Sequence, residues 1–157
     1  MAVLKVTDGS YSNIDAVDNL IFYIAARSEI SGGWGISMES PESVVSEFRA
    51  VKRFWNKNGG RQVKHFIFSW DGRSGLDMNQ MRYLAAKLTL FFQPRYQVFW
   101  GIHLDTDNPH IHIAVNTVSF TDGRMMTFGW RDWNEFCEYK DHVLRDVERQ
   151  FRLRKAI

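Results

Sequence analysis

The sequence predicts an α+β fold in which an antiparallel sheet carries its helices packed on one face. Three observations point there. Segments with a period of two occur at Gln62–Trp70, Gln97–Leu104 and His110–Val118, and the last two are separated only by the turn Asp105–Pro109. Segments with a helical period stand between and after them, with no strict strand–helix–strand alternation. No repeat, low-complexity stretch or linker divides the 157 residues, so the chain reads as a single domain over 1–157.

In chain order, Ala2–Thr7 is a short strand. A helix follows from Ile14 to Arg27, with Ile14, Val17, Ile21, Ile24 and Ala25 on one stripe. Ser28–Glu39, with Gly32-Gly33, reads as a mobile loop. Ser40-Pro41 starts the next helix, with Ser as N-cap and Pro in the first turn. That helix directs Val44, Phe48, Val51 and Trp55 inward and is stopped by Asn58-Gly59-Gly60. After the strand Gln62–Trp70 and a turn at Asp71–Gly75, Met78–Phe92 is an amphipathic helix ended by Pro94. The hairpin strands follow, then a turn at Thr121-Asp122-Gly123, a short strand at Arg124–Thr127, and a final helix over Asp132–Phe151.

Composition narrows the function classes. Hydrophobic residues make up 45% and aromatic residues 15%, enough for a packed core. No apolar run reaches membrane-spanning length and no signal-peptide pattern opens the chain, which fits a cytoplasmic protein without membrane insertion. The single cysteine, Cys137, excludes an internal disulfide and a cysteine-cluster metal site. Net charge is only +2, yet Arg49, Lys52, Arg53, Lys57, Arg61 and Lys64 follow one another with no acid between them. Arg145, Arg149, Arg152, Arg154 and Lys155 add a second basic stretch. Arg49, Lys52 and Arg53 lie off the apolar stripe of their helix; they are candidates for binding nucleic-acid phosphates, or an ordinary solvated face.

The most informative segment is His103-Leu-Asp-Thr-Asp-Asn-Pro-His-Ile-His-Ile-Ala-Val115. His110 and His112 are two apart on a strand and share a face. His103 ends the partner strand, which brings it beside them, while Val98, Trp100, Ile102, Leu104, Ile111, Ile113 and Val115 form the opposite, apolar parity. Three neutral imidazoles at one point make an open metal site that leaves the cation's charge uncancelled, suited to polarising a phosphoryl oxygen. Three nitrogens suit Mn²⁺, Zn²⁺, Ni²⁺ or Co²⁺ more than Mg²⁺. A hydroxyl nucleophile would make such a site a reversible covalent enzyme, and bound water would make it a hydrolase. Tyr23 lies roughly 120° around its helix from the apolar stripe and is the leading candidate, with Tyr11 as the second.

These residues resemble the relaxases, the mobilisation nucleases of plasmids and integrative elements within the HUH endonuclease superfamily. His103-x-Asp105-x4-His110-x-His112, followed by Asn116, is similar to the family's third motif. Val63-Lys64-His65-Phe66-Ile67-Phe68-Ser69-Trp70 resembles the strand motif His-x-x-x-Ser-Phe, and Phe22-Tyr23-Ile24 the tyrosine motif. The resemblance implies an HUH palm of ferredoxin or RRM type. It implies Mn²⁺ or Mg²⁺ on His103, His110 and His112, and Tyr23 as nucleophile toward single-stranded DNA at an origin of transfer. It implies a 5′-phosphotyrosine product, and a conjugation coupling protein and accessory DNA-binding proteins as partners. Asp105 is expected to orient the site or accept a proton, Asn116 to bind phosphate or order the site, and His65 to support it. Tyr23 lacks the basic neighbour that many relatives carry. A rolling-circle initiator or transposase of the same superfamily, and a DNA-binding module that no longer cuts, are the alternative readings.

Overall fold

The computed structural model describes residues 2–7, 9, 11–153 and 157; Arg154 and Lys155 of the second basic stretch lie outside the described residues. Five strands form one antiparallel sheet: β1 (Val3–Val6), β2 (Ile30–Trp34), β3 (Val63–Ser69), β4 (Val98–His103) and β5 (His110–Asn116), in the order β1-β3-β5-β4-β2. Among the described residues four α-helices accompany them: α1 (Ala16–Arg27), α2 (Pro41–Phe54), α3 (Met78–Thr89) and α4 (Trp130–Phe151).

The helix starts follow local chemistry. At α2, Ser43 N donates to Ser40 Oγ (3.1 Å) and Ser40 N to Ser43 Oγ (3.2 Å). Asp77 and Gln80 form the same reciprocal box at α3. Each cap satisfies amide groups the helix cannot reach, a contribution of about 1 kcal/mol.

The antiparallel α+β class is the expected one, but the helices divide between both faces. Phe66, Phe68, Trp100, Ile102, Ile111, Ile113 and Val115 pack with α3 and α4 around Leu84, Leu88, Phe136 and Val147. On the other face Val63, Phe99 and Ala114 pack beneath α1 and α2 with Leu20, Ile21, Ile24, Val44 and Phe48. The histidine-bearing parity is apolar at one end and polar at the other, so its apolar end needs cover as much as the opposite face does. The imidazoles are left at the other end.

Two further expectations change. Residues 30–34, expected as loop, form the edge strand β2 against β4. Gly32 lies under the Trp100 indole, where any Cβ would overlap the ring; here glycine marks close approach rather than a turn. The expected strand at Arg124–Thr127 reduces to one bridge, Val118 to Met125. Ile14, placed on the apolar stripe of the first helix, precedes α1 and is exposed.

Candidate active site

The β4–β5 register sets His103 opposite His110 and Gly101 opposite His112. The three imidazoles converge, with ring centres 4.4 Å (His103–His112), 5.0 Å (His110–His112) and 5.3 Å (His103–His110) apart. One ligand nitrogen from each lies within 4.8 Å of the others.

The hydrogen bonds decide which nitrogens are available. His103 Nε2 lies 3.0 Å from Ile24 O and His110 Nδ1 3.1 Å from Asn108 O, so both nitrogens carry a proton and donate to carbonyls. His112 Nδ1 lies 2.9 Å from His65 Nε2. That leaves His103 Nδ1 and His112 Nε2 buried with no partner among the described residues. Unpaired buried nitrogens carry a desolvation cost that a cation would offset. His110 keeps Nε2 on the same side, 3.8 Å from Asp105 Oδ1. The residues present therefore fit a divalent metal.

Electrostatics favour the ligand form. Burial, reinforced by His103, His65 and His110, pushes His112 down to about 3. Burial, then His103, brings His65 down to about 4. Burial also lowers His103, partly offset by its bond to Ile24 O. Neutral imidazoles at neutral pH are what a metal requires.

Tyr23 on α1 sits against this cluster, its ring centre 5.3 Å from that of His112 and 5.7 Å from that of His103, and it is 43% exposed. Its position depends on Gly101, where a Cβ would collide with Ser28 and Ile24 of the α1 end. One turn beyond Tyr23, the Arg27 guanidinium carbon lies 5.5 Å from the centre of the phenol ring, and Arg27 Nη1 is 3.6 Å from Asp105 Oδ2.

The family model for "Relaxase: MobA/VirD2-like, nuclease domain" matches residues 24–149. The chain belongs to this relaxase family. The match takes in all three clustered histidines and begins one residue after Tyr23. The relaxase fold agrees with that of a solved structure described as "Molecular Basis of Vancomycin Resistance Transfer in Staphylococcus aureus". The TM-score is 0.59, at 12% identity over 82% of this chain and 74% of that one. No curated protein sequence matches.

Within this relaxase domain the expected site residues separate into groups. His103, His110, His112, Tyr23 and Asp105 gather at one point, with His65 stacked on His112 at 5.1 Å between ring centres. Tyr11 lies on the far side of His65, its hydroxyl 2.9 Å from His65 Nδ1. Asn116 shares the histidine face, as alternation requires, but α2 covers that end. Its Nδ2 donates to Phe48 O and Gln97 Oε1 in the interior, so it pins helix to sheet and offers no surface for phosphate. Lys52 is also removed from the surface: it is 3% exposed and its ammonium donates to Gln62 O at 2.6 Å. Arg49 is paired with Asp18, while Arg53 is exposed. Asp105 does not orient the metal-distal nitrogen of any histidine; Ile24 O, Asn108 O and His65 do.

Arg27 is the residue that sequence reasoning missed. No basic residue adjoins Tyr23 in the chain, whereas on a helix the neighbour in space is four residues on.

Proposed function

We propose that this domain is a metal-dependent, site- and strand-specific nickase and strand transferase. It would act on single-stranded DNA at an origin of transfer during mobilisation of a plasmid or mobile element. The observation that carries this reading is the placement of Tyr23 against His103 and His112, whose outward nitrogens are unpaired.

His103 Nδ1, His112 Nε2 and His110 Nε2 would hold a divalent cation, with Mn²⁺ favoured over Mg²⁺ by three imidazole donors. When bound, that cation polarises a phosphoryl oxygen and offsets the charge of phosphoryl transfer. Tyr23 Oη attacks the scissile phosphorus in line with the 3′-oxygen. The phenol–phosphorus bond forms as the phosphorus–O3′ bond breaks. The phenol proton passes to solvent, to which Tyr23 is open, and the leaving oxygen takes up a proton from solvent. The products are a 5′-phosphotyrosine and a free 3′-hydroxyl. The bond energy kept in the phosphotyrosine allows the strand to be rejoined.

Arg27, held by Asp105, supplies a positive charge beside the nucleophile and attracts the phosphate toward it. Arg53, with Arg49, extends a basic surface for flanking phosphates. No helix among the described residues is long and apolar enough to cross a membrane; we place the activity in the cytoplasm, with a coupling protein and accessory DNA-binding proteins as further partners.

The test is a fluorescent single-stranded oligonucleotide pool incubated with Mn²⁺ and resolved on a denaturing gel, comparing wild type with Tyr23→Phe and Tyr11→Phe. A covalent adduct that disappears only in Tyr23→Phe is expected. An adduct lost only in Tyr11→Phe would transfer the nucleophile to that residue. Retardation on a native gel with no adduct would replace the nickase by a DNA-binding module.

A further inference from the structure

His65 is 5% exposed and bonded at both ring nitrogens, to His112 Nδ1 (2.9 Å) on one side and to the Tyr11 hydroxyl (2.9 Å) on the other. Thr7 Oγ1 stands 3.0 Å from the Tyr11 oxygen and 3.4 Å from His65 O. The backbone fixes this arrangement, since Thr7 N donates to His65 O (3.0 Å) and Gln62 N to Tyr11 O (2.7 Å).

We propose that Tyr11 and His65 form a positioning relay that sets the tautomer and ring orientation of the metal ligand His112. The inference rests on the metal-centre reading above. Two polarities are open to such a row. In one, Tyr11 donates to His65 Nδ1 and His65 Nε2–H donates to His112 Nδ1, which leaves the His112 proton on Nε2 and blocks the metal position. In the other, His112 Nδ1–H donates to His65 Nε2 and His65 Nδ1–H donates to the Tyr11 oxygen, which also accepts from Thr7 Oγ1 and turns its own proton away from the ring nitrogen. Only the second polarity leaves His112 Nε2 with its lone pair directed at His103 and His110.

Each ligand then has one partner fixing its remaining nitrogen: a carbonyl for His103, a carbonyl for His110 and a histidine for His112. A carbonyl can only accept, which fixes the proton outright. A histidine can accept or donate, so the His112 proton depends on whether His65 Nδ1 donates to the Tyr11 oxygen, which already accepts from Thr7 Oγ1. This gives Tyr11 a role that does not touch substrate and that differs from that of Tyr23.

Titration of the purified domain with Co²⁺, read by its visible absorption, tests the proposal without reference to cleavage. Wild type is measured first, and failure to bind Co²⁺ would overturn the metal-centre reading itself. Given binding by wild type, His65→Leu is expected to weaken affinity by about 10- to 100-fold and to alter the spectrum. His65→Gln, whose Oε1 accepts from His112 Nδ1–H, is expected to recover most of the loss. Tyr11→Phe is expected to fall near the lower end of that range, about tenfold, with an unfolding midpoint of the metal-free protein close to that of wild type. Co²⁺ affinity and spectrum unchanged in both His65→Leu and Tyr11→Phe would overturn the relay while leaving the metal centre intact. Should His65→Leu fail to fold, His65→Gln and Tyr11→Phe still decide. Normal binding by the former with weakened binding by the latter supports the relay, and normal binding by both overturns it.

Discussion

Arg27 lies one helical turn beyond Tyr23, with its guanidinium carbon 5.5 Å from the centre of the phenol ring and one nitrogen 3.6 Å from Asp105. The pair puts a positive charge beside the phenol ring whose hydroxyl is proposed to attack phosphate. Both Arg27 and Asp105 are substantially exposed, so solvent screens the charge and its contribution is modest. Arg27→Gln should slow adduct formation by about tenfold, equivalent to ~1.4 kcal/mol in the barrier. A single-turnover rate measurement checks it; a rate equal to that of wild type would reduce Arg27 to a surface ion pair.

Metal binding should appear as stabilisation. At 100 times its dissociation constant, Mn²⁺ should add about 2.7 kcal/mol, visible as a rise of several degrees in the unfolding midpoint. His112→Ala should lose this metal-dependent rise, and a chelator should abolish both the rise and adduct formation in wild type. A rise retained in His112→Ala would place the metal elsewhere.

Gly101 should tolerate nothing larger. Its Cβ position is filled by Ser28 and Ile24, so Gly101→Ala must displace the end of α1, at a cost of about 1–3 kcal/mol. Ile24 also supplies the carbonyl that holds His103, and Tyr23 precedes it directly. Adduct formation should therefore fall further than the loss of folded protein explains. Denaturant unfolding alongside the gel assay separates the two, and activity that simply tracks the folded fraction would deny the coupling.

Lys52 should leave a mark at alkaline pH. Burial lowers its pKa from 10.5 to about 8. Between these values the unfolded chain holds a proton that the folded protein has released, so this residue's contribution to stability rises with pH across that window. Below pH 8 both states are protonated and the cost of the buried charge is constant. Stability of wild type relative to Lys52→Met should increase from pH 8 to 10.5, by up to about 3 kcal/mol. A flat difference across that range would mean that the ammonium reaches solvent. The same burial means that Arg53→Ala should flatten the salt dependence of DNA binding by about one unit of slope while Lys52→Met leaves it unchanged.

Much of the site is legible in the sequence because it is local. His110 and His112 share a face through the two-residue period of a strand, and a five-residue turn returns His103 to them. Ser40-Pro41 marks a helix start for the same reason, since a cap involves residues three apart. The antiparallel α+β class follows from the order of such elements. What involves distant segments is not written in any one of them. Lys52 reads as lying off the apolar stripe of its helix and Asn116 as lying on the histidine face, yet both end inside the protein. Their partners, Gln62 O, Gln97 and Phe48 O, arrive from other elements.

By itself, then, the sequence determined the three-histidine hairpin, the family resemblance it carries and the position of Tyr23 on the first helix. The tertiary structure alone decided that α1 and α2 cover the apolar end of the histidine face and that residues 30–34 complete the sheet as an edge strand. It alone brought Arg27 to Asp105, and Tyr11 to His65 and so to His112. The division has a physical cause. Backbone periodicity and turn chemistry act over a few residues, whereas burial and hydrogen-bond partners are set by which surfaces must leave water together.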